Sequence, residues 1–269
     1  MAYLVDQPWQ ETEKYFAQND SVLIAVGAIH GHDHIPQGID LLVPEHLVSR
    51  IEERTGVLVL PSIAYGPMPN YMGYSGCISP SADIFHDYVQ AVVEDLLRWG
   101  ARRFYFMNGH SGNTSLLEDI AFEVRKRGGL GVIFEWWRLL AALDPDLNAA
   151  VNRVPDSAPE GLRSRTRGTE TAVAAAIVPG YDESLESARI ISSEELFRDS
   201  PFETNFATGI WFKDVLVPAR FGSRETTLIG DVGTEATAEM GEEILDSLVD
   251  FLADFINNMN QQDIPPFGG

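Results

Sequence analysis

At 269 residues the chain is long enough to bury one large core, and a composition of 45% hydrophobic with 10% aromatic residues is that of a folded globular protein, neither disordered nor fibrous. Forty acidic residues against nineteen basic give a net charge of −21, which argues against an extended nucleic-acid or anionic-membrane surface. The single cysteine, Cys77, leaves no disulfide framework and no cysteine zinc cage; with no basic-then-apolar leader at Met1 to Trp9 and no run of ~18 apolar residues, the expectation is a soluble cytoplasmic protein.

Gln10 to Phe16 is predicted as a short helix and Ser21 to Val26 as a buried strand, because the latter is apolar, short and bounded by Asp20 and Gly27. Val26 to Asp40, V-G-A-I-H-G-H-D-H-I-P-Q-G-I-D, follows directly. It holds three of the chain's six histidines, His30, His32 and His34, on alternate residues, with Asp33 and Asp40 among them. Imidazole and carboxylate are the usual ligands of zinc, manganese and iron(II), so the stretch reads as half of a metal site. Pro44 is predicted to open a helix running to Arg54, and Gly56 stops it before a strand from Val57 to Leu60. Pro61 to Pro80 is rich in Gly, Pro, Tyr and Met and shows no period, so it reads as a long loop of the kind that is more often functional than idle.

Ala82 to Trp99 carries apolar residues at three-and-four spacing and is predicted as an amphipathic helix that Gly100 ends. A strand from Arg102 to Met107, the turn N-G-H-S-G-N at Asn108 to Asn113, a helix from Thr114 to Arg127 and a strand from Leu130 to Phe134 come next. Past Trp137 the signal weakens through Asp144 to Arg163, returns as a helix from Gly168 to Val178, and is irregular from Ser184 to Ile229. Glu235 to Ile256 reads as a long helix, and Gln261 to Gly269 as a frayed tail. Alternating strands and helices predict an α/β fold, a three-layer, mainly parallel sheet with helices on both faces, organised as a single domain over residues 1–269.

In such a sheet the loops beyond the carboxyl ends of the strands open to one side, and both histidine-bearing segments follow strands. His110 therefore faces His30, His32 and Asp40 across the top of the sheet, with Gly109 and Gly112 permitting a tight turn that Asn108 and Asn113 brace.

These motifs resemble the creatininase (creatinine amidohydrolase) family. The resemblance rests on V-G-A-I-H-G-H at Val26 to His32, on Asp40 with Leu41 to Pro44, on N-G-H-S-G-N, on G-T-E-T-A at Gly168 to Ala172 and on I-G-D-V-G-T-E-A-T-A-E at Ile229 to Glu239. It implies an α/β fold, often a homohexamer, binding two divalent metals bridged by one aspartate. Carried over by position, Asp40 bridges, His110 binds one metal with His30 beside it, and His32 with Glu170 binds the other. Zinc is the favoured ion, with manganese or iron also suited. Two such ions roughly 3.5 to 4 Å apart share a water nucleophile and polarise a carbonyl.

Two departures from the family stand out. His30 replaces a glutamate, and the segment from there to Asp40 is one residue shorter; a neutral ligand in place of an anion favours zinc over manganese. Arg165 occupies the place of a family histidine proposed as an acid or base. His34, which aligns with a family histidine near the substrate, and Arg165 are thus the catalytic candidates; Tyr74, Ser75 and Trp137 are the candidate substrate contacts. Arg163, Arg165 and Arg167 together form either a solvated loop or a clamp for a carboxylate or enolate. Family members open creatinine, deformylate a pyrimidine derivative, trim a peptide, or hydrolyse a carbon-carbon bond in a cyclic diketone derived from inositol. The expectation is a metal-dependent hydrolase acting on a small cyclic amide or related carbonyl compound, with the diketone reaction next and a non-catalytic metal- or small-molecule-binding protein as the reading from another class.

Overall fold

The computed structural model describes residues 3–32, 35–72, 75–153, 168–181, 204–205, 209–212, 215–218 and 236–268. Its centre is a four-stranded, wholly parallel sheet in the order β2-β1-β3-β4, with β1 at Ser21–Val26, β2 at Leu58–Val59, β3 at Arg103–Asn108 and β4 at Leu130–Glu135. All six residues of β1 and of β3 are buried, which is why both read as apolar runs with no alternation. Leu23, Ala25, Tyr105 and Met107 face one core, and Val22, Ile24, Phe104 and Phe106 the other. The three-layer α/β arrangement expected from the sequence is borne out.

On the first face lie α2 (Ile39–Thr55), α5 (Trp136–Leu143), α6 (Pro145–Val151), α7 (Gly168–Ile177) and α8 (Ala238–Asn260). On the second lie α3 (Ala82–Trp99) and α4 (Thr114–Lys126), with Tyr15 and Phe16 of α1 (Trp9–Phe16) packed against them. A separate antiparallel ribbon, β5 (Thr204–Asn205), β6 (Gly209–Phe212) and β7 (Val215–Pro218), occupies part of the span expected to be irregular.

Several boundaries differ from the sequence-based expectation. The helix expected to open at Pro44 begins at Ile39 and carries Pro44 inside it. Pro44 has no N–H to donate to the carbonyl of Asp40 four residues earlier, and that carbonyl instead comes close to Gly109, where an added Cβ would lie 1.8 Å from the oxygen. Where the sequence signal weakens after Trp137, the chain continues as α5 and then α6, whose start is capped by Asp144 accepting from Leu147 N at 2.8 Å. The last helix starts at Ala238, three residues later than expected, and runs on to Asn260. The tail beyond it is docked on α4: Arg125 donates to the carbonyls of Pro265 and Pro266 at 2.7 and 3.0 Å, and Phe267 packs edge-on to Phe122.

Strand order places the site. β1 leads to β2 on one side, and the chain then crosses back to β3 on the other, so the connections diverge at the gap between β1 and β3. Open α/β sheets bind ligands at such a gap, beyond the carboxyl ends of the strands. Val26 and Asn108 end β1 and β3 in register, so the two histidine-bearing segments leave the sheet side by side.

Candidate metal centre

Asp40 sits in the first turn of α2, where the helix's positive end favours a carboxylate. Two glycines bring this turn down onto the strand ends. A Cβ on Gly27 would lie 2.7 Å from Leu41 Cα, and one on Gly109 would overlap the Asp40 carbonyl, so no larger residue fits at either position. The turn carrying His110 is braced as the sequence suggests: Asn113 Nδ2 donates to the carbonyl of Gly27 and to Asn108 Oδ1, both at 3.2 Å, while His110 N donates to the same Asn108 oxygen at 3.2 Å.

The side chains of His30, His32, Asp40, His110 and Glu170 come together along one open cavity of about 310 Å³, with Tyr71, Gly109, Ser111 and Trp137 completing its lining. His30 and His32 are each 3% exposed and Asp40 is 6% exposed. His30 and His32 both turn Nδ1 toward a backbone carbonyl, of Gly31 at 3.1 Å and of His30 at 3.3 Å respectively. A neutral imidazole that donates its one N–H in this way leaves its other nitrogen bare. The bare Nε2 of His30 lies 2.9 Å from Asp40 Oδ2 and 3.3 Å from His110 Nδ1, which is itself 2.8 Å from the same carboxylate oxygen. From the other side, Nε2 of His32 stands 3.3 Å from Asp40 Oδ1.

Lone pairs thus converge on both oxygens of one buried carboxylate, an arrangement that repels itself unless a proton or a cation is shared among them. Burial raises the Asp40 carboxyl, but His32, His110 and His30 outweigh it and hold the group well below the usual carboxylate range. Burial lowers the His30 imidazole, and Asp40 only partly restores it. A charged aspartate ringed by imidazoles with backbone-fixed tautomers is a donor set that fits divalent cations. The donors fall into two groups, His30 with Asp40 and His110, and His32 with Asp40 and Glu170; within each the ligand atoms lie within 4.8 Å of one another, and Asp40 belongs to both.

Of the other candidates, Trp137 lines the cavity, whereas Ser75 is exposed and meets the histidine segment through its carbonyl, which accepts from Gln37 Nε2 at 2.8 Å. His34, Tyr74 and Arg165, with Arg163 and Arg167, lie outside the described residues. Ser111 was not singled out from the sequence, and its place beside His110 was the available signal. Tyr71 belongs to the Pro61 to Pro80 loop that the sequence suggests is functional, and its ring stacks on His30 with centroids 4.8 Å apart and planes 27° apart.

An α/β sheet with a candidate two-metal centre at its switch point defines the class. The family described as Creatinine amidohydrolase matches residues 6–256, and the chain belongs to this creatininase family. Among curated relatives, the "Creatinine amidohydrolase" of Pseudomonas putida is 32% identical over 144 residues, 48% of this chain and 55% of that protein. The "Mycofactocin precursor peptide peptidase" of Mycobacterium ulcerans (strain Agy99) is 29% identical over 118 residues, 40% of this chain and 47% of that one. The chain therefore spans about half the length of the curated relatives it matches. A solved structure named "Creatininase Mn" superposes with a TM-score of 0.69 at 25% identity, covering 97% of this chain and 99% of its own.

Proposed function

We propose that the protein is a metal-dependent hydrolase that directs an activated water at the carbonyl of a small cyclic amide or related compound. The observation that carries this reading is Asp40, whose two oxygens face two separate donor groups. In it, His30, Asp40 and His110 hold one divalent ion and His32, Asp40 and Glu170 the other, zinc being favoured by the three imidazoles. When bound, two such ions supply a water acidified enough to act as nucleophile near neutral pH and polarise the substrate carbonyl.

The chain's own residues do the rest. The carbonyls of Gly31 and His30 fix the tautomers of His30 and His32, so that neither imidazole needs to reorient to present its lone pair. Trp137 and Tyr71 add aromatic surface to a cavity whose volume of about 310 Å³ suits a small molecule. His34 and Arg165 are proposed near the substrate, with Tyr74 and Ser75 on the loop that borders it. A cyclic diketone is the second substrate class to test. Arg165 stands where the family carries a histidine, and opening a ketone needs no protonation of a departing amine. The relative named as a peptidase adds peptide amides to the screen.

Elemental analysis tests the bridging role. Wild-type protein is expected to hold up to two divalent ions per chain, Asp40→Ala to lose both, and His110→Ala to lose mainly one; undiminished metal in Asp40→Ala ends the assignment. Turnover found in a screen of cyclic amides, cyclic diketones and peptides is expected to vanish with chelator and return with zinc or manganese. Full activity in verified metal-free protein would point to a side-chain nucleophile instead.

A further inference from the structure

We infer that Tyr71 is a positioning residue for His30: its ring stacks on the imidazole and holds Nε2 turned toward Asp40 and His110. The inference rests on the metal-binding reading above. Two rings pack against His30, His32 with centroids 3.9 Å apart and planes at 31°, and Tyr71 at 4.8 Å and 27°. The hydrogen bond from Nδ1 to Gly31 O sets the tautomer, but this contact and those of Nε2 with Asp40 and His110 all lie at the ring edge and leave the imidazole able to rock about its long axis. Neighbours on its faces remove that freedom.

The loop that delivers Tyr71 is tied to the segment that delivers His30. Tyr71 ends a single 3₁₀ turn, Pro69–Tyr71, whose start is held by Met68 N donating to Ser79 Oγ at 2.7 Å. Ile78 N donates to the carbonyl of Ile29 at 3.3 Å, and Gln37 Nε2 to the carbonyl of Ser75 at 2.8 Å. These bonds reach the histidine segment on both sides of His30, so the two rings belong to one braced unit. A carboxylate at position 30 would offer no ring face to cover. The need for an aromatic neighbour arises with the histidine.

The test titrates metal-free wild type, Tyr71→Phe and Tyr71→Leu with Co²⁺, reading the visible absorption of each bound ion and the metal content, with thermal unfolding of the metal-free forms as the control for folding. Tyr71→Phe, which keeps the ring, is expected to match wild type in affinity and spectrum. Tyr71→Leu is expected to lose about 10- to 100-fold in affinity at one of the two positions, with an altered spectrum for that ion alone. The same pair of substitutions in a His30→Glu background is expected to give equal affinities, because the ring face is gone, and this coupling keeps the inference testable even if Tyr71→Leu lowers stability. Wild-type affinity and spectrum in Tyr71→Leu would overturn it, as would an unchanged effect of Tyr71→Leu in the His30→Glu background. Failure of the wild-type protein to bind any Co²⁺ would instead remove the metal reading itself.

Discussion

At the scale of single residues, the site depends as much on atoms that are missing as on those present. A methyl group on Gly109 would collide with the Asp40 carbonyl and with Pro44 Cγ, 2.7 Å away, so Gly109→Ala forces α2 away from the end of β3. The expected result is a loss of roughly 1 to 3 kcal/mol in denaturant unfolding, the usual cost of overpacking, together with weaker metal binding, because Asp40 moves with the helix. His30 and His46 supply a second prediction. Burial lowers both imidazoles, and Arg50 lowers His46 further. An unfolded chain binds these protons at about pH 6.5 while the folded chain does not, so their contribution is intact above that value and is lost as the pH falls below it. Melting temperatures of metal-free protein should drop between about pH 7 and pH 5. His46→Gln, which lies outside the cavity lining, should flatten that drop, and an unchanged slope would remove His46 as a contributor.

At the scale of elements, what could be read from the chain followed burial. Strands buried on both faces, β1 and β3, and the half-buried β4 appear as short, largely apolar runs, and α3 shows a clean helical stripe, so their spans were legible to within a residue. The start of α2 was not. Pro44 is the usual mark of a first helical turn, but here it lies one turn further in because Gly109 leaves room for the Asp40 carbonyl that Pro44 cannot satisfy, a contact between residues far apart in sequence. For the same reason Asp40 could be read as a candidate ligand while its place at a helix start could not. The stack of Tyr71 on His30 has no local signal, since two loops meet only through the fold. The long helix α8 offers a test of what holds the first layer together. Leu248, buried in the core beneath α2, should cost about 2 to 5 kcal/mol when cut to Ala. The neighbouring ion pairs from Arg50 to Asp246 and Arg54 to Asp250 face solvent, so removing either should cost little stability at low salt and nothing measurable at high salt.

At the scale of the whole molecule, a net charge of −21 on 269 residues repels itself in the compact state. Raising the salt from ~0.01 M to ~0.5 M shortens the screening length from ~30 Å to below 10 Å, so the metal-free protein should melt at a higher temperature. A lower melting temperature would mean that the ion pairs between α2 and α8 outweigh the general repulsion. Asp40 and His110 are 70 positions apart in sequence, and His30 and His110 are 80 apart, yet their ligand atoms nearly touch. An ion gripped there is a reversible cross-link across two long loops of chain, in a protein whose lone cysteine gives it no disulfide of its own. Unfolding would then require the ion to leave or the loops to open around it. Resistance to proteolysis should track the free concentration of the metal, and starving the protein of that ion should shorten its lifetime.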